Sequence, residues 1–235
     1  MALAPEGRRP AVLFRYAEGR VPRAGSAADA RAQGVTLARI HDAAERFVAA
    51  GAERYRLDLD HLLHRPMSAV LRLVSLSEAT RRDLEQLTQR LAGAVAARGG
   101  LRWTRCHGDC HGSNARIAVD DTRAGQAAFF DFDDGGPGYL AYDLAVFLWA
   151  RVSFQRRERA MWHAFIEGYR SVRPISGADF EAVRLFVPIR HIWLLGEYAS
   201  RLGEWGTEIV PADLIVRELE FMRTWEETQL GPALL

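Results

Sequence analysis

The stretch from His107 to Asn114, which reads HGDCHGSN, holds side chains suited to chemistry on a hydroxyl group. It contains the carboxylate of Asp109 and the amide of Asn114, and Asp131 follows 17 residues after Asn114. A carboxylate beside a hydroxyl can orient it and accept its proton. Carboxylate and amide oxygens also bind Mg²⁺, which needs few protein ligands because it keeps waters and phosphate oxygens. These residue types fit the transfer of a phosphoryl group between oxygens, which requires both functions.

A β-hairpin is the element that would bring these residues together. The segments 115–119 (ARIAV) and 127–132 (AAFFDF), separated by the polar turn DDTRAGQ, predict two antiparallel strands. Asn114 precedes the first strand and Asp131 lies near the end of the second. The two ends of a hairpin meet, so we expect Asn114 and Asp131 to lie side by side. Residues 101–106 form a further β segment that leads into the loop.

The remaining pattern is mostly helical, and it predicts an α+β fold rather than a doubly wound sheet or a β-sandwich. Ser26 is placed to cap the first helix, Ser75 and Glu78 have capping-box spacing for the second, and Pro188 is expected to bend a later one. A short strand is predicted over residues 11–16 (AVLFRY). The predicted helices cover residues 26–50, 77–97, 142–154, 157–170, 178–203 and 211–229.

Composition excludes several classes of function. The 235 residues carry 26% charged side chains and a net charge of +1, which argues against a disordered acidic chain and against a nucleic-acid partner. All 31 basic residues are arginine, so chemistry that needs a lysine is excluded. The first ten residues lack the apolar run of a signal peptide, and no apolar stretch approaches the ~20 residues of a membrane span. We expect a cytoplasmic protein without a membrane partner.

The motif HGDxxxxN, the apolar strand that ends in Asp131, and Asp-Leu-Ala at 143–145 together resemble the aminoglycoside phosphotransferase and choline-kinase-like family. The whole run RCHGDCHGSN … FFDFDDGGPGYLAYDLA looks closest to the stress-response Ser/Thr kinase branch of that family, and weaker similarity extends from about residue 11 to the C-terminus. The resemblance implies a protein-kinase-like fold. It also implies ATP as phosphoryl donor, Mg²⁺ as metal, and a small-molecule or protein hydroxyl as acceptor.

By the same resemblance, Asp109 is the catalytic base and Asn114 and Asp131 are the Mg²⁺ ligands. His107 and Asp143 support the catalytic loop. Residues 26–235 are expected to form a kinase-like C-terminal lobe, and residues 1–25 a residual strand and hinge of the N-terminal lobe, since neither a lysine nor a glycine-rich phosphate loop is present. Without that lobe we expect weak ATP binding. We expect strand 11–16 to pair with a second copy in a homodimer, and the alternatives are that it folds back over the nucleotide cleft or is disordered.

Alternatives remain at several positions. The chain could be a pseudokinase or a non-catalytic remnant, and a metal hydrolase is a third hypothesis. That third hypothesis is built on the HGDCH cluster at residues 107–111. A separate alternative is a zinc site made of the side chains of Cys106, His107, Cys110 and His111. Asp133 and Asp134 are expected in a solvated acidic loop, with a second metal or a cationic substrate as the other interpretation. Arg190, His191 and Trp193 are expected to pack within a helix, or else to line a substrate pocket. An acidic concave face would favour a cationic substrate.

Overall fold

The computed structural model describes residues 2–4, 7–9, 15–47, 56–73, 75–119, 125–154, 159–211 and 213–230. Within these ranges the fold is mostly helical, with three small antiparallel sheets of two strands each, so the predicted α+β class is confirmed. The α-helices of the described residues are, in chain order, α1 (Ala27–Ala44), α2 (Arg65–Leu71), α3 (Glu78–Ala96), α4 (Leu140–Val152), α5 (Arg159–Arg170), α6 (Gly177–Ser200), α7 (Leu202–Trp205) and α8 (Leu214–Trp225).

Serine side chains begin the long helices, because a hydroxyl oxygen can accept a hydrogen bond from an N–H group of the first turn. The hydroxyl of Ser26 accepts from the N–H of Asp29 at the start of α1, as predicted. At the start of α3 the capping residue is Ser77, which accepts from the N–H of Thr80. The prediction of Ser75 for this role was wrong by two residues, because α3 begins only at Glu78 and the hydroxyl must lie directly before it.

Helix α4 lies at the centre of the apolar core. All but one of its residues are buried, which is typical of a helix surrounded by other elements on every side. Next to it, α1 and α5 pack with their backbones in close contact. A Cβ atom at Gly34 would lie 1.9 Å from the carbonyl oxygen of Phe165, and one at Gly168 would lie 2.1 Å from that of Arg31. Only glycine permits this approach.

The strands frame the loop that carries the candidate residues. Strand β4 (Ala115–Ile117) pairs with β5 (Ala127–Phe129), which confirms the predicted hairpin. Strand β3 (Trp103–Cys106) leads into the loop and pairs with β6 (Gly136–Tyr139). The sequence analysis missed β6, because its residues GPGY have low strand propensity. It also missed the short pair β1 (Ala2–Ala4) and β2 (Gly7–Arg9).

Pro188 lies inside α6, as predicted, and its effect on the backbone is compensated from α8. Proline has no N–H group, so the carbonyl oxygen of Arg184, four residues earlier, loses its helical partner. The indole Nε1 of Trp225 donates to that oxygen at 2.9 Å. This contact joins α8 to the middle of α6, directly before the turn that carries Arg190.

Two predictions on the N-terminal segment stay predictions. Residues 11–14 of the predicted strand lie outside the described residues, so neither the strand nor its role in a homodimer is tested. Residues 15–25 are irregular except for an antiparallel bridge between Arg20 and Ile117. Among the described helices, none combines the length and the apolar character of a membrane-spanning segment.

Candidate active site

Asp143, in the first turn of α4, anchors the loop from His107 to Asn114. Its Oδ2 accepts from the N–H of His107 at 2.7 Å, and its Oδ1 accepts from the N–H of Gly108 at 2.8 Å. His41 of α1 donates to Oδ2 through Nε2 at 3.0 Å, while its Nδ1 accepts from the hydroxyl of Tyr169. Burial acts to raise the pKa of Asp143, but these hydrogen bonds and the two histidines outweigh it and lower that pKa. An ionised, fully buried carboxylate thus fixes the start of the loop.

His107 connects the loop to the end of the hairpin. Its Nε2 donates to the carbonyl oxygen of Phe130 at 3.0 Å, and its Nδ1 accepts from the N–H of Asp109 at 3.2 Å. Burial lowers the pKa of His107, which favours the neutral ring that this pattern requires. Its ring also packs against Phe132, with centroids 4.2 Å apart. Both contacts agree with a supporting role for this side chain.

Asp109 lies in the loop with both carboxylate oxygens occupied. Its Oδ2 accepts from Nδ2 of Asn114 at 2.9 Å and lies 3.2 Å from Nε2 of His111. Its Oδ1 forms an ion pair with the guanidinium group of Arg190. Burial acts to raise the pKa of Asp109, but His111 and Arg190 outweigh it, so the pKa of this carboxyl lies below its usual range. The side chain is therefore an ionised acceptor of hydrogen bonds.

Asn114 and Asp131 lie at the same end of the hairpin, where the sequence analysis predicted them. The carbonyl oxygen of Asn114 accepts from the N–H of Phe130 at 3.1 Å, and Asp131 is the next residue. Because Nδ2 of Asn114 donates to Asp109, its Oδ1 is left for a cation. Asp131 is exposed and has a φ of 66°, a left-handed conformation that Asp adopts more readily than most residues.

This pair of oxygen donors fits Mg²⁺, which completes its shell with waters and phosphate oxygens. A metal bound by protein alone would need more ligands. Within the described ranges, however, no group of three or more His, Cys, Asp or Glu side chains is arranged to hold a metal ion.

The side chains of the zinc alternative point to separate partners. The thiol of Cys106 contacts the carbonyl oxygen of Tyr139 at 3.4 Å, and that of Cys110 contacts the carbonyl oxygen of Asp143 at 2.9 Å. Burial raises the pKa of both thiols well above the usual value, whereas zinc binds the thiolate. The structure thus gives the zinc hypothesis no support.

A cleft of about 680 Å³ opens beside Asp109. One wall is aromatic and includes Trp149, Trp193 and Trp205. Asp134 also lines this cleft, and burial raises its pKa. The lining is not acidic overall. The acidic concave face that would favour a cationic substrate is therefore not present in this cleft. Its charged groups are the carboxylates of Asp109, Asp134 and Glu197 and the guanidinium groups of Arg23, Arg151, Arg190 and Arg201.

Of the three residues expected either to pack between helices or to line a pocket, only His191 does not line the cleft. His191 is fully buried and accepts from the indole Nε1 of Trp149 at 3.0 Å. Arg190 and Trp193 line the cleft instead, and Arg190 contacts Asp109. The sequence did contain a signal for this: Arg190 is the one permanently charged residue in the apolar run from Leu185 to Leu195. A buried charge in such a run needs an opposite charge.

Comparison with known proteins gives a family match. The family model described as "Phosphotransferase enzyme family" matches residues 2–175. An uncharacterized protein of Deinococcus radiodurans is 38% identical over 228 residues, which cover 95% of this chain and 65% of that protein. An uncharacterized protein of Synechocystis sp. is 31% identical over 203 residues, which cover 81% of this chain and 52% of the relative. The chain therefore spans between half and two thirds of the length of these relatives.

Solved structures of kinases share the fold. A microcompartment-associated aminopropanol kinase matches with a TM-score of 0.63 at 22% identity, over 85% of this chain and 60% of that one. An amicoumacin kinase in complex with AMP-PNP and Ca²⁺ matches with a TM-score of 0.67 at 16% identity, over 92% and 65%. An ethanolamine kinase of Plasmodium vivax matches with a TM-score of 0.63 at 12% identity, over 98% and 70%. At these identities the likeness shows a kinase-like fold.

Proposed function

Because the chain belongs to the phosphotransferase enzyme family, we propose that it transfers the γ-phosphoryl group of ATP, with Mg²⁺, to a hydroxyl group of a small molecule. The observation that carries this proposal is the arrangement of Asp109, Asn114 and Asp131. The ionised carboxylate of Asp109 contacts Asn114, Asp131 follows Phe130 at the same end of the hairpin, and a cleft opens beside Asp109.

In the proposed reaction, Asp109 orients the acceptor hydroxyl and accepts its proton at Oδ2, while the acceptor oxygen bonds to the γ-phosphorus and ADP leaves. The low pKa of Asp109 makes it a weak base, so its main contribution is orientation, which suits a loose transition state for phosphoryl transfer. His111 contacts Oδ2 at 3.2 Å in this structure, so the acceptor hydroxyl must take the place of its Nε2.

Asn114 and Asp131 are the residues that would hold Mg²⁺. When bound, the metal would neutralise charge on the phosphate oxygens. Asp143 and His107 contact backbone groups: Asp143 accepts from the N–H groups of His107 and Gly108, and His107 donates to the carbonyl oxygen of Phe130. They hold the loop so that Asp109 and Asn114 keep their places relative to the hairpin.

The acceptor is proposed to be a small amino alcohol in the first instance, because several structural neighbours are named for such acceptors. The net charge of the cleft does not favour an amino alcohol, but individual groups in the cleft do. Its aromatic wall and the carboxylates of Asp134 and Glu197 can contact an ammonium group, although Glu197 is also paired with Arg201 at 2.7 Å.

The test is transfer of ³²P from [γ-³²P]ATP with Mg²⁺ to ethanolamine, 1-amino-2-propanol or choline. We expect Asp109→Asn to lower kcat by about 10²–10⁴-fold while the fold is retained, because this variant removes the charge but keeps the shape. The matched control is Asp213→Asn, which removes an exposed carboxylate paired with Arg217 on α8. Full activity of Asp109→Asn would refute the assignment. Absence of transfer to every acceptor and of ADP release by the wild type would favour the pseudokinase alternative.

A further inference from the structure

Arg190 is a buried cation that reaches the catalytic loop from α6. Its side chain is 3% exposed. Nη2 donates to Oδ1 of Asp109, and Nη1 donates to the hydroxyl of Tyr142 at 3.2 Å and lies 3.4 Å from the carbonyl oxygen of Gly108. A guanidinium group offers several donors in a fixed plane, so it can hold a carboxylate, a hydroxyl and a carbonyl at once.

Aromatic rings keep this guanidinium group in place. Its Cζ lies 4.2 Å from the ring centroid of Trp193 and 5.1 Å from that of Trp149. Trp149 is itself held, because its indole Nε1 donates to Nδ1 of His191, whose Nε2 therefore carries a proton and donates to Oε2 of Glu218 at 2.8 Å. A chain of contacts thus runs from Glu218 on α8 to Arg190, and the guanidinium group has little freedom to leave Asp109.

We propose that Arg190 is a positioning residue for phosphoryl transfer, which fixes the Asp109 carboxylate so that Oδ2 faces the acceptor hydroxyl. The buried guanidinium group of Arg190 occupies Oδ1. Oδ2 accepts from Nδ2 of Asn114 and lies 3.2 Å from Nε2 of His111, so it is the oxygen that an acceptor hydroxyl reaches when it takes the place of Nε2. Without Arg190 the carboxylate could rotate about χ2, and Asn114 would lose a fixed acceptor for its Nδ2. This role rests on the proposed function.

The test compares Arg190→Lys, Arg190→Gln and Arg190→Ala with the wild type. The readout is ADP release from MgATP with ethanolamine as the probe acceptor. We expect Arg190→Gln to lower kcat about 10²-fold, because a small misplacement of a reacting group has that effect. KM for MgATP should stay within about a factor of two, since Arg190 contacts Asp109 and neither of the proposed Mg²⁺ ligands, Asn114 and Asp131. Arg190→Lys should keep part of kcat.

Added guanidinium chloride at millimolar concentration should restore part of kcat in Arg190→Ala, since the space beside Asp109 would again hold a planar cation.

A purely structural role predicts a different pattern, and Arg90→Gln is its matched control. Arg90 makes a bidentate pair with the buried carboxylate of Glu226, and it does not line the cleft. Arg90→Gln should lower the melting temperature and leave kcat unchanged. If Arg190→Gln lowers stability but not kcat, or if guanidinium restores nothing in a folded Arg190→Ala, the positioning role is refuted.

A crystal structure of Arg190→Gln, or of Arg190→Ala if the first variant does not fold, tests the same role without turnover. We expect the Asp109 carboxylate to leave Nδ2 of Asn114. A carboxylate that keeps its 2.9 Å contact overturns the inference. Failure of the wild type to turn over MgATP would instead overturn the proposed function, and the crystal structure would still decide the role of Arg190.

Discussion

Replacement of Asp143 by asparagine should detach the loop of residues 107–114 from the core. The wild-type carboxylate is completely buried and accepts three hydrogen bonds, from the N–H groups of His107 and Gly108 and from Nε2 of His41. Asparagine has nearly the same shape, so packing is preserved. Its amide carries one oxygen only, and its NH₂ group must face at least one of these donors.

The expected cost follows from those contacts. At least one buried N–H group loses its acceptor, which costs about 1–3 kcal/mol, and the remaining hydrogen bonds lose their charge-assisted strength. We expect the free energy of unfolding to fall by about 2–4 kcal/mol at neutral pH. For a chain of this size that corresponds to a decrease in melting temperature of roughly 5–15 °C.

The pH dependence gives a second measurement. The pKa of Asp143 is lowered by folding, so its contribution is fully present above the unfolded value of about 3.9 and is lost as the pH falls through the folded value. The wild type and Asp143→Asn should therefore differ most near neutral pH, and their stabilities should converge in acid. Thermal and urea unfolding, followed by circular dichroism from neutral pH downwards, measures both effects.

Asp179→Asn is the matched control. Asp179 is also buried and accepts from the backbone N–H of Arg102 at 2.9 Å, but none of its hydrogen bonds reaches the loop of residues 107–114. Both variants should lose stability, and only Asp143→Asn should lose kcat as well. A melting temperature of Asp143→Asn within about 2 °C of the wild type would correspond to less than 1 kcal/mol and would refute the reasoning.

Two further predictions concern stability away from the loop. Asp29 accepts two hydrogen bonds from Arg20, which together with the N–H of Arg23 lower the pKa of Asp29 to about 2. Solvent reaches the Arg20 side of this pair and screens it, so Asp29→Asn should lose about 1 kcal/mol in urea unfolding at neutral pH. The difference should shrink as the pH falls from 4 towards 2. Equal acid sensitivity of the two proteins would contradict this. The free energy of unfolding of Gly34→Ala should fall by about 1–3 kcal/mol or more, because the new Cβ would meet the carbonyl oxygen of Phe165 and separate α1 from α5. The control is Gly93→Ala, whose Cβ meets nothing within 4 Å. Equal melting temperatures of the two variants would refute the close packing of α1 and α5.

The sequence alone determined the local elements and the central motif. Most helices, the hairpin and the Ser26 cap follow from periodicity and turn chemistry, which are properties of neighbouring residues. The closeness of Asn114 and Asp131 also followed, because a hairpin brings its own ends together. Strand β6 and the cap at Ser77 did not follow. Strand β6 exists because it pairs with β3. The cap at Ser77 depends on the residue at which α3 begins.

Only the tertiary structure decided which distant side chains complete the site. Arg190 lies 81 residues after Asp109 and His41 lies 102 residues before Asp143, and no local pattern relates them. Their pairing results from the packing of α1 against α5 and of α6 against α4, where a buried charge must meet an opposite charge or a hydrogen-bond partner. The sequence placed Arg190 in an apolar helix, but the partner that makes this burial tolerable is set by how the helices pack. The sequence thus specified the loop of residues 107–114, and the three-dimensional core specified what holds it.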